Sequence, residues 1–242
     1  MSKKPCGFVV WEGISRIDLM TPVVMIVTIV SKNTKTGPML QVWYLVRDEH
    51  PVTAMYSEAD EGICGDCALR LKICYVEVGK APAAIWRGYQ RGIYPTLDLR
   101  LADHRKLLSD RKVRLGAYGD PAAAPLKQNQ RIVDAGGAGH TGYSHQILNF
   151  IDQGRGREAE GLADLCMVSC DTLEHLAEAR SHGLRSFLAV PTGETPPKNT
   201  LECLFYTHET QCADCMLCNG GDNGRDIWVP IHGAGESHHT WE

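Results

Sequence analysis

From residue 113 to residue 191, the sequence alternates between short apolar stretches and segments with helical spacing. These predict strands and helices in turn, in the order VRLGAYGDP, PLKQNQRIVDAGG, LCMVSCD, TLEHLAEARSHG and RSFLAVP, with a further strand and loop at GHTGYSHQ. Strands that are joined by helices imply a parallel sheet with right-handed crossovers. This part of the chain is therefore expected to form such a sheet, closed or partly closed into a barrel. In its last helix, Leu173, Leu176 and Ala177 are predicted to face inward.

The first sixty residues are predicted to be rich in strands. The stretches CGFVVWEG, VVMIVTIVS and MLQVWYLV are rich in β-branched and aromatic residues, and the turn-forming stretch KNTKTGP separates the last two. A helix is predicted between Ala81 and Gly92, where Ile85, Trp86 and Tyr89 can share one face. The stretch PTGETPPKNT is expected to be a linker that leads into a cysteine-rich tail.

The predicted fold class is α/β, in a single domain that covers residues 1–242. Its four expected parts are a strand-rich N-terminal portion of antiparallel strands (1–60), the first cysteine motif with a helix (61–95), a βα-repeat body that resembles a partial (β/α) barrel (96–195), and a cysteine-rich C-terminal cap (196–242). A chain of this length can bury a sizeable core without disulfides.

Composition indicates the cellular compartment and disfavours some classes of partner. The chain has ten cysteines, and its N-terminus MSKKPCGFVV has no long apolar stretch of the kind found in signal peptides. We therefore expect a cytoplasmic protein whose cysteines are mostly metal ligands. The longest apolar run, residues 23–30, is too short to span a bilayer, so no membrane association is expected. A net charge of −4 disfavours direct nucleic-acid binding.

Seven cysteines fall into two groups with the spacing of metal ligands. Cys64, Cys67 and Cys74 are spaced x2 and then x6, and the tail group consists of Cys203, Cys212, Cys215 and Cys218, spaced x8, x2 and x2. In a C-x2-C pair, one tight loop directs two thiolates to a single metal centre. Cys6 and Cys166 are instead expected to be small strand residues.

The spacing of the tail cysteines favours an iron–sulfur cluster over a zinc ion. Three successive cysteines at x2 intervals suit a [4Fe–4S] cluster, whose irons each need one thiolate, and Cys203 supplies a fourth. Structural zinc more often takes two separated C-x2-C pairs and remains the alternative. The first group has no obvious fourth cysteine, so its last iron would be open, bound by a distant residue or bound by a small molecule. Two separate clusters are favoured over one site shared by both groups.

Polar residues follow the predicted parallel strands at the edge where sites in such sheets gather. Asp120, His140 and His145 are the candidate catalytic residues, and Tyr118, Tyr143 and Asp171 are the candidate cofactor-binding residues. Asp120 lies in a Gly-Asp-Pro turn, where an aspartate also serves as a turn former or cap. Either histidine has the alternatives of a proton shuttle, a cluster ligand or an ordinary loop residue.

The order of the motifs also resembles that of a known group. GICGDC, CYV, RLGAYGDPAA, HTGY, CMVSCDT and the C-x2-C-x2-C tail leading to IHG resemble a poorly characterised family of bacteriophage-encoded iron–sulfur proteins over residues 31–233. The layout is similar to that of radical S-adenosylmethionine enzymes, although their cysteine motif is spaced x3 and then x2. The resemblance implies that the Cys64, Cys67 and Cys74 cluster has an open iron that chelates S-adenosylmethionine, and that the tail group holds an auxiliary cluster.

The predicted function is iron–sulfur binding for redox or radical chemistry on an unknown small-molecule or macromolecular substrate. The resemblance implies a viral protein in the cytoplasm of an infected bacterium, where a host redox protein is a candidate partner. Two alternatives remain open. One is a zinc-stabilised interaction or regulatory module, and the other is a cluster-based electron-transfer or sensing protein.

Overall fold

The computed structural model describes residues 4–70, 74–221 and 224–231. Its strands are β1 (Gly7–Ile14), β2 (Pro22–Thr28), β3 (Leu40–Val46), β4 (Arg111–Tyr118), β5 (Gly137–Thr141), β6 (Tyr143–Ser144), β7 (Met167–Cys170), β8 (Ser186–Val190), β9 (Thr200–Glu202) and β10 (Asp226–Pro230). Its α-helices are α1 (Pro51–Tyr56), α2 (Glu61–Cys64), α3 (Ala81–Gln90), α4 (Ala102–Leu108), α5 (Leu126–Gly136), α6 (Gln146–Asp152), α7 (Gly156–Ala163), α8 (Leu173–Ser181), α9 (Leu204–His208) and α10 (Cys212–Cys215). The end of the tail, including the histidine of the IHG motif, lies outside the described residues.

The first sheet has the strand order β1-β2-β3-β4-β5. Its first three strands pair antiparallel, as the sequence predicts for the N-terminal portion. The pairing then changes, because β3 runs parallel to β4 and β4 runs parallel to β5. The chain between β3 and β4 contains α1 to α4 and the first cysteine group, so this group lies on a crossover connection between two parallel strands.

The second sheet has the strand order β6-β7-β8-β10-β9, and all its pairs are parallel. Helices alternate with strands through β8, so the α/β prediction is confirmed. Both β9 and β10 come from residues 196–242, the segment predicted to be a C-terminal cap. This segment therefore supplies two strands to the sheet in addition to the tail cysteines.

The buried face of helix α8 differs from the predicted one. Thr172 caps this helix, because its hydroxyl accepts a hydrogen bond from the His175 amide at 3.1 Å. Leu176 is buried as predicted, but Leu173 and Ala177 are exposed, and Ala179 is the second buried residue. The prediction that Leu173 and Ala177 face inward was wrong. The buried face of this helix is narrower than predicted and is centred on residues 176 and 179.

The core of the first sheet is connected to the turn after β4 by a buried hydrogen-bond chain. The hydroxyl of Tyr44, which is fully buried, donates to Asn129 Oδ1 at 2.6 Å. Asn129 Nδ2 in turn donates to the carbonyl of Pro121 at 2.8 Å. Gly119 adopts a positive φ of 75° where a Cβ would lie 2.5 Å from the Tyr44 carbonyl, so only glycine fits this turn.

The two sheets share one cavity, of about 280 Å³. Its lining includes alternate residues from strands of both sheets and the residues that follow them, namely Arg114, Gly116, Tyr118, Thr141, Tyr143, His145, Ser169, Asp171, Phe187, Ala189, Val229 and Ile231. Side chains on one face of a strand recur every second residue, so one face of each sheet is turned toward this space. Within the described ranges, no helix combines the length and the apolar character that crossing a bilayer requires.

Candidate metal centres and the cavity between them

Both cysteine groups reach the shared cavity. Cys64, Cys67 and Cys74 line it together with Cys212 of the tail. The first group lies beside residues that follow the carboxyl ends of β4, β6 and β7. The tail group lies at the opposite end of the strands, since the Cys212 amide donates to the carbonyl of Lys35, five residues before β3 begins. The cavity therefore runs between two clusters of thiols.

The loop that carries Cys64 and Cys67 requires glycine at its centre. Helix α2 ends at Cys64, and Gly65 follows with a φ of 61° and a ψ of −141°. A Cβ at Gly65 would lie 2.3 Å from Nε2 of Gln146, whose amide group donates to the Cys64 carbonyl at 3.1 Å. Asp66 is turned toward helix α6, where Asn149 Nδ2 donates to its carboxylate at 2.7 Å. These contacts explain the Gly-Asp pair between the two cysteines.

A buried ion pair supports the same loop. Arg70 donates to Asp60 Oδ1 at 2.7 Å and to Glu61 Oε1 at 2.5 Å. The Asp60 side chain is 3% exposed and that of Arg70 is 15% exposed. Burial raises the pKa of the Asp60 carboxyl, and the hydrogen bond from Arg70 opposes this rise. Because Asp60 precedes α2 and Arg70 follows Cys67, the pair connects the two ends of the segment that carries the first two thiols.

The thiols of the first group are free and close to one another. All ten cysteines of the chain are free. The pKa of Cys64 is raised well above its usual value, first by burial and then by the neighbouring Cys67, Asp60 and Cys74. Without a cation, such a site favours protonated thiols, and a metal ion would displace the protons. The donor set therefore suits a metal centre.

His145 lies between Cys67 and Asp171. Its Nε2 atom is 3.6 Å from Cys67 Sγ and 3.4 Å from the Asp171 carboxylate. Burial alone would lower the pKa of His145, but Cys67 and Asp171 together raise it well above its usual value. One possible ligand atom from each of the three residues lies within 4.8 Å of the other two. The structure thus joins a predicted metal ligand, a predicted catalytic residue and a predicted cofactor-binding residue.

Asp120 positions His145 through the backbone. Its Oδ2 atom accepts a hydrogen bond from the His145 amide at 2.8 Å. Its Oδ1 atom accepts from the Ser144 hydroxyl at 2.7 Å and from the Ala122 amide at 2.8 Å. The carboxylate is buried and caps the single 3₁₀ turn Pro121–Ala123, as the turn interpretation of the Gly-Asp-Pro motif expects. It also borders the cavity beside Tyr118, whose pKa is raised by burial and by the nearby Cys64.

The four tail thiols also lie near one another. The pKa of Cys218 is raised to about 12, chiefly by burial and also by Cys203, Cys212 and Cys215, while a hydrogen bond with Tyr143 opposes the rise. The tail loop packs at the amino ends of β3 and β4, because Lys112 donates to the carbonyl of Ala213 there. Tyr143 therefore reaches from the cavity lining to the tail group.

The spacing of the tail sulfurs differs from that of a preformed zinc site. In a tetrahedral site with Zn–S bonds of 2.3 Å, the sulfurs lie about 3.8 Å apart. Among the described residues, which include all four tail cysteines, the only group of three or more ligand atoms within 4.8 Å is Cys67, His145 and Asp171. A cubane needs wider spacing, since each thiolate binds a separate iron corner. The four tail sulfurs therefore do not already lie at the spacing of a tetrahedral zinc site.

His140 does not join the other candidate residues. It lies on β5 next to Thr141, whose side chain lines the cavity, so the His140 side chain points to the other face of the strand. Burial lowers its pKa, while backbone groups of Leu165 and Asn219 act in the opposite direction. The structure thus separates His140 from His145 and the cavity.

The lowered pKa of His140 predicts a pH dependence of stability. The unfolded chain, with a histidine pKa of about 6.5, binds this proton more readily than the folded protein does. The contribution of His140 to folding stability should therefore fall as the pH drops below about 6.5, and His140→Gln should remove that contribution. Urea unfolding at several pH values between 7 and 5 measures the difference. The exposed His175→Gln serves as the control, and an identical pH profile for His140→Gln and wild type would refute the assignment.

Sequence reasoning missed two cations that line the cavity. Arg114 occupies an inward position of β4, two residues before Gly116 and four before Tyr118, so the strand periodicity that placed Tyr118 also places Arg114. Lys35 lies in KNTKTGP, which was interpreted only as a turn. Burial lowers the pKa of Lys35, while Cys203 and Cys212 act in the opposite direction.

Comparison of the chain with protein-family models, curated proteins and solved structures found no significant match.

Proposed function

We propose that this chain is an iron–sulfur protein that carries out redox or radical chemistry on a small molecule held in its cavity. One [4Fe–4S] cluster is assigned to Cys64, Cys67 and Cys74, and a second to Cys203, Cys212, Cys215 and Cys218. The observation that carries this proposal is the shared cavity, which Cys64, Cys67 and Cys74 line from one end and Cys212 lines from the other. Two separated groups of thiols around one ligand-sized space favour an enzyme over a closed structural site.

The three-cysteine site is the candidate reaction centre. Three thiolates leave one iron of a cubane without a protein sulfur, and the three cysteines lie on the cavity wall. When bound there, the cluster would supply single electrons to a ligand in the cavity. S-adenosylmethionine is the proposed ligand of the open iron, by the resemblance of the motif order to radical enzymes. The four-thiolate tail site is the candidate auxiliary cluster.

The residues around the first site have roles in binding and orientation. Asp120 fixes the backbone of His145, and His145 can hold a proton beside Asp171. Tyr118 and Asp171 line the cavity next to the cysteines. At the other end, the rings of Tyr143 and Phe187 lie 4.3 Å apart and supply an apolar wall. We therefore assign proton handling to His145 and ligand binding to the two tyrosines and Asp171.

The biological setting is proposed from the resemblance and the composition. The motif order supports a phage-encoded protein that acts in the cytoplasm of an infected bacterium. A host reductant is then the proposed electron source, since both clusters need one. The acidic net charge of −4 supports a small-molecule substrate rather than nucleic acid.

A mononuclear zinc site is the second candidate. The observation in its favour is the approach of Cys67, His145 and Asp171 to within 4.8 Å of one another. A thiolate, an imidazole and a carboxylate are zinc ligands, and three protein ligands leave a fourth position for water or substrate. In this alternative the tail group serves as a zinc-stabilised structural or regulatory module.

Purification without oxygen distinguishes the two candidates. The proposal expects a brown protein with broad visible absorption from thiolate-to-iron charge transfer, and about eight iron atoms per chain after reconstitution. Addition of S-adenosylmethionine and a strong reductant should then yield cleavage products of that cofactor. A colourless protein that carries stoichiometric zinc after anaerobic expression in iron-rich medium would refute the iron–sulfur assignment.

A further inference from the structure

Arg114 is a buried cation on the cavity wall. Only 9% of its surface is exposed, although it lies in a strand surrounded by apolar residues. The one side-chain hydrogen bond that the described residues give it runs from Nη2 to the Tyr75 hydroxyl at 3.0 Å. A guanidinium has five N–H donors in a planar fork. Only one of them therefore has a partner among the described residues.

No carboxylate of the described residues pairs with this cation. The ion pairs within 4.0 Å among them include neither Arg114 nor Lys35, the second cation that lines the cavity. Asp120 already accepts three hydrogen bonds, and Asp171 lies beside His145. Burying a cation without an anionic partner is costly, so an anion that enters the cavity would be bound favourably.

Lys35 lies at the end of the cavity near the tail cysteines, and Arg114 lies farther along β4 toward the three-cysteine site. Lys35 Nζ is 3.2 Å from the Tyr206 hydroxyl and 4.5 Å from the centre of its ring, on the side of the tail cysteines. Gly116 lies between Arg114 and Tyr118 on the inward face of β4 and has no side chain to fill the space. A ligand held at Arg114 can therefore extend past Gly116 toward Cys64 and Cys74.

We propose that Arg114, with Lys35 beside it, binds a carboxylate or phosphate group of the substrate, which is therefore a small organic anion. The planar guanidinium matches either oxyanion with two parallel hydrogen bonds. A cavity of about 280 Å³ is at the lower end of the range for ligand pockets, so the anion it binds is small. This inference rests on the proposed function in that it takes the cavity to be the reaction site.

The nearest alternative assigns Arg114 to the tail cluster. Burial raises the pKa of Cys212 and the charge of Arg114 opposes this rise, so Arg114 could balance the negative charge of a bound cluster there. The hydrogen bond to Tyr75 favours the substrate role. Tyr75 follows Cys74, so this bond holds the guanidinium toward the three-cysteine site and away from the tail cluster. The two roles differ in what the loss of Arg114 changes, namely anion affinity or cluster potential.

Calorimetric titration of the iron-loaded protein, prepared without oxygen, tests the anion site with inorganic phosphate and with benzoate as separate probes. Wild type is expected to bind at least one of them, and the preferred probe identifies phosphate or carboxylate as the group. Arg114→Gln should weaken that binding at least about tenfold, the loss expected for a charge-assisted hydrogen-bond pair. Arg111→Gln is the matched control, since Arg111 lies on the same strand but donates to the Pro38 carbonyl outside the cavity.

Two outcomes would overturn the proposal. One is that neither probe binds to wild type, and the other is that Arg114→Gln binds as tightly as wild type. In the second case, a lower midpoint potential of the tail cluster would assign Arg114 to that cluster. If circular dichroism shows that Arg114→Gln does not fold, Arg114→Lys and Lys35→Gln replace it. Both should bind the probe more weakly than wild type, and unchanged affinity in both would overturn the proposal. Iron content and visible absorption, recorded on the same samples, report separately on the proposed function.

Discussion

Replacing Cys64, Cys67 and Cys74 together by alanine is expected to remove about four iron atoms per chain and to leave about four in place. The reason is that the two groups of thiols lie at opposite ends of the strands and share no ligand in the proposed assignment. Electron paramagnetic resonance of the reduced protein should then show one cluster signal instead of two, and S-adenosylmethionine cleavage should stop. Iron analysis and spectroscopy on the same anaerobic sample measure this result.

The complementary variant changes Cys212, Cys215 and Cys218 to alanine and should lose the other half of the iron. Cys6→Ala is the matched control, because Cys6 is exposed next to β1 and belongs to neither group. Its iron content should equal that of wild type. Complete loss of iron in both triple variants, with the protein still folded, would mean that one cluster is shared by the two groups. Unchanged iron in either variant would remove that group from the account.

Arg70→Met is expected to lower the free energy of unfolding by about 3 kcal/mol. The substitution leaves the carboxylate of Asp60, which is 3% exposed, without its ion-pair partner. The same change should loosen the segment between Asp60 and Arg70 and reduce iron at the three-cysteine site more than at the tail site. Urea unfolding and iron analysis measure the two effects.

Two further variants separate a local ion-pair effect from a general loss of charge. Arg47→Met removes an arginine from the solvent-exposed pair with Asp48 and should change stability by well under 1 kcal/mol. Adding Asp60→Asn to Arg70→Met should restore part of the lost stability, because the uncompensated charge is gone. An Arg70→Met protein as stable as wild type would show that this ion pair does not hold the loop.

Much of the fold could be predicted from local patterns. The alternation of apolar stretches with helical segments correctly gave the parallel strands of the βα-repeat body, although the structure divides them between the two sheets. The β-branched N-terminal stretches gave the antiparallel strands. Strands β9 and β10 were missed because a proline-rich stretch and the cysteine motifs surround them, and because β9 has only three residues. The parallel pairing of β3 with β4 spans a long crossover, so no local pattern reports it.

The candidate site was predicted in part. The rule that sites gather at the carboxyl ends of parallel strands selected Asp120, His145 and Asp171, and the structure brings them together. His140 was selected by the same reasoning but lies on the opposite face, since a difference of one residue on a strand reverses the side. Arg114 was missed because a single charge in an apolar strand has no local signal of what it faces.

The central claim is that two separate iron clusters border one cavity, and diffraction at the iron absorption edge from crystals grown without oxygen tests it most directly. The account predicts two separate groups of anomalous density, one within bonding distance of Cys64, Cys67 and Cys74 and the other within bonding distance of Cys203, Cys212, Cys215 and Cys218. A single zinc peak among Cys67, His145 and Asp171, or one iron cluster bound jointly by both groups, would contradict it.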